Sequence, residues 1–156
     1  MIKIGNNLSE WSSYSCQPKT RDELKKIIKD RISKEGPNCD LNDIDVSLID
    51  DMSYLFRYSN FNGDISKWDV SNVENAGSMF LLSKFNGDIS NWNTRKMRNF
   101  YSMFEMSEFN GDISRWDLRS AVNMGYVIKT IYFIKNHFKS KTVNFASFAH
   151  ISMHKF

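Results

Sequence analysis

The side chains best suited to hold a metal or move a proton are few. All three histidines, His137, His150 and His154, lie near the C-terminus. His150 and His154 stand four apart, which would put both imidazoles on one helical face, a spacing that suits zinc. No cysteine or carboxylate lies near them in sequence to complete a coordination sphere, so no metal site is expected. Cys16 and Cys39 are the only cysteines and read as free thiols. Nucleophilic catalysis would need a serine or cysteine held against a base and an orienting acid. The serines here fall mostly at turns and caps, where a hydroxyl bonds the local backbone. P-loop, dinucleotide and zinc signatures are absent. The expectation is a chain that is no enzyme and takes no cofactor.

One acidic set is spaced too regularly to be incidental. Asp40, Asp64, Asp88 and Asp112 recur every 24 residues. On paired strands they would stand ~4.8 Å apart, and like charges directly opposite destabilise. Hydrogen bonds to turn backbone, the amides of Asn62 and Asn86, or a cation such as calcium would offset the repulsion; local hydrogen bonding is favoured. The spacing belongs to a larger pattern. "FNGDIS" begins at Phe61, again at Phe85 and again at Phe109, defining units 61–84, 85–108 and 109–132. A worn unit precedes them at 37–60, where Asp40, Leu41, Asp45, Val46 and Phe56 fall under Asp64, Ile65, Asp69, Val70 and Phe80. A motif made several times at equal spacing has a geometric purpose, since each copy must match its neighbour.

Within a unit the hydrophobic period changes. Phe61, Gly63 and Ile65 alternate with Asn62, Asp64 and Ser66, which is strand periodicity. Gly63 on the inward side implies close backbone approach. A turn carrying Trp68, Trp92 or Trp116 follows. Val73, Ala76, Met79 and Phe80 then mark one helical face, as do Met97, Phe100, Met103 and Phe104, and Ile49, Met52, Leu55 and Phe56. Ser71 with Glu74, and Ser47 with Asp50, fit capping boxes. These features predict an α/β repeat solenoid of four 24-residue strand–turn–helix units over 37–132. An N-terminal segment with a capping helix occupies 1–36. There Thr20 and Glu23 form a capping box, Leu24, Ile27, Ile28 and Ile32 make the apolar stripe, and Gly36 and Pro37 stop the helix. A basic, aromatic C-terminal cap or tail, 133–156, closes the array, with a helical stripe running from Met124 through Val127, Ile128, Ile131, Ile134 and Phe138.

Those residues carry a family resemblance. "FNGDISKWDVSNVENAGSMF" resembles the bacterial surface-protein repeat of about 25 residues found in BspA-like leucine-rich-repeat proteins, and the likeness covers roughly residues 17–128. It departs at Asn93 to Arg98 and again after Met124. The resemblance implies a leucine-rich-repeat-like solenoid used for binding or adhesion, without enzyme activity, at a cell surface or secreted.

The chain is 41% hydrophobic, 25% charged and 14% aromatic, which excludes wholesale disorder. It carries a net charge of +3. The charge is uneven. Lys129, Lys135, Lys139, Lys141 and Lys155, with no acid among them, give 129–156 a charge of +5 and leave −2 for the rest. The opening "MIKIGNNLSEW" has no signal-peptide core and no apolar run is long enough to span a bilayer, so the expected location is cytoplasmic. The function expected is non-enzymatic protein binding by a monomer with a protein partner. Its candidate strip is Asn62, Asp64, Ser66, Asn86, Asp88, Ser90, Asn110, Asp112 and Ser114. Lys67, Asn91 and Arg115, with the turn pairs Leu81–Leu82 and Glu105–Met106, vary beside it. The alternative is binding of nucleic acid or an anionic surface through the basic aromatic tail, to which Arg95, Lys96 and Arg98 would add.

Overall fold

The computed structural model describes residues 14–127. Its helix, α1, runs Arg21–Glu35. Thr20 Oγ1 accepts the Glu23 N–H at 3.2 Å, and Glu23 Oε2 accepts the Lys19 N–H at 2.7 Å, which closes the N-terminus as expected. Gly36 ends the helix at φ 90°, where a side chain would be strained. Leu24 and Ile28 are buried, Ile27 and Ile32 partly so, and Lys25, Lys26, Lys29 and Asp30 face water. Arg31 fastens the helix to the first coil, with Nη1 2.9 Å from Asp43 Oδ2 and Nη2 donating to the Asp40 carbonyl at 2.9 Å.

Beyond Gly36 the chain winds in coils, each lying on the equivalent residues 24 positions away. From Met52, every second N–H donates to the next coil. Met52 reaches the Asn75 carbonyl at 2.8 Å, Tyr54 that of Gly77 at 3.1 Å, Phe56 that of Met79 at 2.9 Å and Tyr58 that of Leu81 at 3.0 Å. Ala76, Ser78, Phe80 and Leu82 repeat the pattern onto Asn99, Tyr101, Met103 and Glu105. The intervening N–H groups close turns within their own coil: Leu55 onto Met52, Arg57 onto Tyr54, Ser59 onto Phe56. The third residue of alternate turns is left-handed, at φ 60° for Tyr54, 58° for Tyr58, 55° for Ser78 and Leu82, 53° for Ser102 and 54° for Met106.

This overturns the α/β strand–turn–helix expectation. Among the described residues α1 is the one helix. The coils pair through isolated parallel bridges (Asp40 with Asp64, Asp51 with Asn75, Asn75 with Asn99, Asn99 with Asn123) and form no sheet. Two physical reasons account for it. Left-handed residues at Ser78 and Leu82 interrupt any helix there, and Asn75, Gly77 and Ser78 are poor helix formers. In the FNGDIS segment the backbone pairs only between the first two coils, where Asn62 N–H reaches the Pro37 carbonyl at 2.8 Å and Asp64 N–H that of Cys39 at 3.3 Å, and side chains take over beyond. Asn62 Oδ1 accepts the Asn86 N–H at 2.8 Å, and Asp64 Oδ1 accepts the Ser66 N–H at 2.8 Å and turns the chain. The expected capping boxes are absent too. Ser71 N–H bonds Asp69 Oδ1 at 3.0 Å and Glu74 N–H bonds the Asp50 carbonyl at 2.7 Å. The expected C-terminal cap beyond Val127 lies outside the described residues.

Corners and core follow the same register. Asp64, Asp69 and Asn75 each accept an N–H two residues on, and Ser59 Oγ accepts that of Phe61 at 3.1 Å. Inside, Phe56, Phe80 and Phe104 stack with successive planes within 4°. Phe61, Phe85 and Phe109 stack within 3°. Among the described residues each indole N–H finds a carbonyl one coil back, Trp68 on Leu41 at 2.8 Å, Trp92 on Ile65 at 3.2 Å and Trp116 on Ile89 at 3.0 Å. The close approach expected at Gly63 is severe, because a Cβ there would sit 1.9 Å from the Cys39 carbonyl oxygen. Gly63→Ala is therefore expected to cost about 3 kcal/mol, the upper end for overpacking, read as a lower urea midpoint. An unchanged midpoint would contradict the packing described.

Candidate protein-binding surface

The FNGDIS face places its residues regularly, and much of its polar capacity is used by the stack. Asn62, Asn86, Asn110, Asp64, Asp88, Asp112 and Ser114 are exposed, and Ser66 and Ser90 half-buried. Asn86 Oδ1 accepts the Asn110 N–H at 2.9 Å, continuing the rung begun at Asn62. Asp88 and Asp112 accept the N–H groups of Ser90 at 2.9 Å and Ser114 at 2.8 Å. The Ser66 N–H holds the Asp64 carboxyl below the ordinary range. The Ser90 N–H does the same for Asp88, and the like charge of Asp64 pushes the other way without prevailing. Local hydrogen bonds thus offset the repulsion in the row. A groove of about 370 Å³ runs past Asn38, Asn62, Asp64, Ser66 and Asp88. Beside it Lys67, Asn91 and Arg115 are exposed, with Arg115 Nη1 3.3 Å from Asn91 Oδ1.

Two basic residues of the third and fourth coils have local partners. Lys96 Nζ donates to Asn72 Oδ1 at 2.6 Å. Arg119 clasps Asp117 through both carboxylate oxygens, at 2.9 and 2.6 Å, and lowers that carboxyl to about 2. Arg95 and Arg98 are exposed. His137, His150, His154 and the lysines of the basic tail lie outside the described residues. Both cysteines are free thiols, and burial pushes that of Cys39 up. Among the described residues no group of histidine, cysteine and carboxylate side chains could hold a metal ion, and no helix is long and apolar enough to cross a membrane.

A second face is less expected. Tyr58, Leu82 and Met106 occupy the same place in three successive coils and are 63%, 37% and 73% exposed. All three are left-handed, where a non-glycine residue costs roughly 1–2 kcal/mol. A turn with positive φ at its third residue ordinarily takes glycine or asparagine. Tyr58 and Met106 are mostly exposed there, so their side chains bury little that would offset the strain. Arg57 lies over both Tyr54 and Tyr58, at 5.4 and 4.7 Å from the ring centroids, and donates to the Tyr58 hydroxyl at 3.0 Å. Exposed Tyr101 meets Tyr126 edge-on at 5.6 Å, in room left by Gly125.

Residues 23–142 match a family described as Mycoplasma protein of unknown function, DUF285. The chain belongs to that family. The matched region begins within α1 and takes in every described coil, so the capped stack is what the family match covers. No curated protein and no solved structure matches the chain.

The variable turn pairs Leu81–Leu82 and Glu105–Met106 gave the sequence its one pointer to this second face. Tyr54, Arg57 and Tyr58 were missed because their unit is the worn one, although large apolar residues at turning positions were a usable sign. Met106→Gly is expected to leave stability unchanged or raise it by up to about 1 kcal/mol, as strain at φ 54° is relieved. Thermal unfolding checks this; a clear loss of stability would show that Met106 supports the fold.

The lowered carboxyls also fix a pH dependence. Asp64 and Asp88 contribute stability that is complete above the ordinary aspartate value of ~3.9 and is lost as pH falls through their lower folded values. Stability is expected to be level near neutrality and to decline below about pH 4. NMR titration of the side-chain carboxyls should find both groups below their ordinary value and Asp117 near 2. Ordinary titration of Asp64 and Asp88 would contradict the hydrogen bonding of the row.

Proposed function

We propose that the protein is a non-enzymatic binding module that docks another polypeptide on the row Tyr58, Leu82 and Met106. The observation that carries this reading is the presence of large, exposed side chains at left-handed backbone positions in three successive coils. Local strain that folding does not require points to function. The residue types agree, since tyrosine, methionine and arginine are enriched at protein interfaces. The ladder beneath the row fixes its backbone before a partner arrives, which lowers the ordering cost of docking. The resemblance to BspA-like repeats, whose use is binding or adhesion, points the same way. The FNGDIS groove is the secondary surface, because its Asn and Asp oxygens already bond the stack.

The test is capture from a lysate of the source organism by the tagged full chain, at low and high salt, beside the variant Leu82→Asp/Met106→Asp. Apolar docking predicts a specific protein retained at high salt and lost with the variant while its thermal unfolding stays cooperative. Binding through the basic tail predicts nucleic acid or many acidic proteins, released by salt and indifferent to the variant. That second pattern would overturn the reading.

A further inference from the structure

We propose that the partner on this row is a second copy of the chain, docked antiparallel; the inference rests on reading the row as a protein-binding surface. The residues preceding Tyr58, Leu82 and Met106 are Arg57, Leu81 and Glu105. Their backbones lie over one another, since Tyr58 N–H bonds the Leu81 carbonyl and Leu82 N–H bonds the Glu105 carbonyl. The apolar row therefore has a cation beside its first coil, an aliphatic side chain beside its second and an acid beside its third. Glu108, the other acid of that third coil edge, is already paired with Lys84 of its own chain. That leaves Glu105 to face a partner.

A two-fold axis through the middle coil matches this order to itself. It sets Arg57 against the partner's Glu105, Leu82 against the partner's Leu82, and Tyr58 against the partner's Met106. The last is a favourable sulfur–aromatic pairing. Such an isologous contact closes on itself and needs no second surface. Docking in the parallel sense would set arginine on arginine and glutamate on glutamate, which repel. Coil spacing is identical in the two copies, so all three rungs come into register at once. The available area is of the right order. At about 200 Å² per large side chain, the exposed parts of Tyr54, Tyr58, Leu82 and Met106 come to roughly 440 Å² per copy, against ~800 Å² per partner for a standard interface. Flanking polar groups of the coils make up a rim.

Sedimentation equilibrium of the full chain, up to about 100 µM, decides it. The expected result is a dimer. Leu82→Asp, Arg57→Glu and Glu105→Arg should each weaken it by about tenfold or more. Arg57→Glu combined with Glu105→Arg should recover most of the loss, because the charge order is then reversed but still complementary. Far-UV circular dichroism on each variant separates lost association from lost fold, and the recovery by the double variant is immune to that ambiguity. A wild-type chain that stays monomeric over the range overturns the proposal, as does a double variant no better than either single. A monomer whose row variant still loses a captured protein would refute self-association and leave the binding reading standing. Row variants that change neither readout would refute both.

Discussion

The structure depends on one interaction, the hydrogen bond from alternate backbone N–H groups of each coil's turning segment to carbonyls of the next coil. Each such bond is worth only ~1 kcal/mol net, but leaving its buried groups unpaired costs more. Regularity is therefore compulsory. A coil one residue longer or shorter would misplace every donor above it, which explains why FNGDIS returns at a fixed interval. The same constraint stacks like on like. Asn99 Nδ2 donates to Asn75 Oδ1 at 2.9 Å, an amide ladder of the kind that in-register stacks favour. Phenylalanine planes become nearly parallel, and a glycine is required where a backbone passes against its neighbour. Stability in such an array is shared between adjacent coils, and an uncovered coil is a loss. α1 covers the first one, through Leu24 and Ile28 and through Arg31 on Asp43, whose carboxyl that guanidinium holds below the usual range.

Much of this was legible in the residues. The 24-residue interval, the cap at Thr20 and Glu23, and the close approach at Gly63 follow from sequence and are present in the fold. The residues assigned to a helical face in each unit are indeed buried, from Ile49 to Phe104. Their backbone was misjudged for a definite reason. Apolar residues three apart suit a helix, but they equally suit consecutive tight turns that each advance the chain toward the core. What normally separates the two is glycine or asparagine at the left-handed residue. Here Tyr54, Ser78, Leu82 and Met106 hold those places, so the turn signal was silent. The strand was misjudged because backbone pairing holds only at its first rung, Asn62 on Pro37 and Asp64 on Cys39, whereas the N–H groups of Asn86 and Asn110 bond the Asn62 and Asn86 side chains. The candidate strip was legible as an exposed row and illegible as part of the scaffold, since hydrogen bonds to residues 24 positions away leave no local trace.

Those two misjudgements meet at the proposed surface. A stack this constrained can hold a few residues in costly conformations, because every neighbouring bond fixes them. The polar face spends its side chains on the ladder and corners. The turning face needs nothing but backbone there, so its side chains are open to other use. Tyrosine, leucine and methionine in line, with arginine at one end and glutamate at the other, form a rigid and directional display.

The most direct test of the account is the identity of the acceptor for the Phe80 N–H. Scalar couplings across hydrogen bonds, measured by NMR on the isotope-labelled chain, report that acceptor without reference to any fold. Stacked turns require coupling between Phe80 nitrogen and the carbonyl carbon of Met103, one coil away at an N···O distance of 2.9 Å. A coupling from Phe80 to Ala76, four residues earlier in the same unit, would restore the repeat helix and contradict the architecture proposed for every coil.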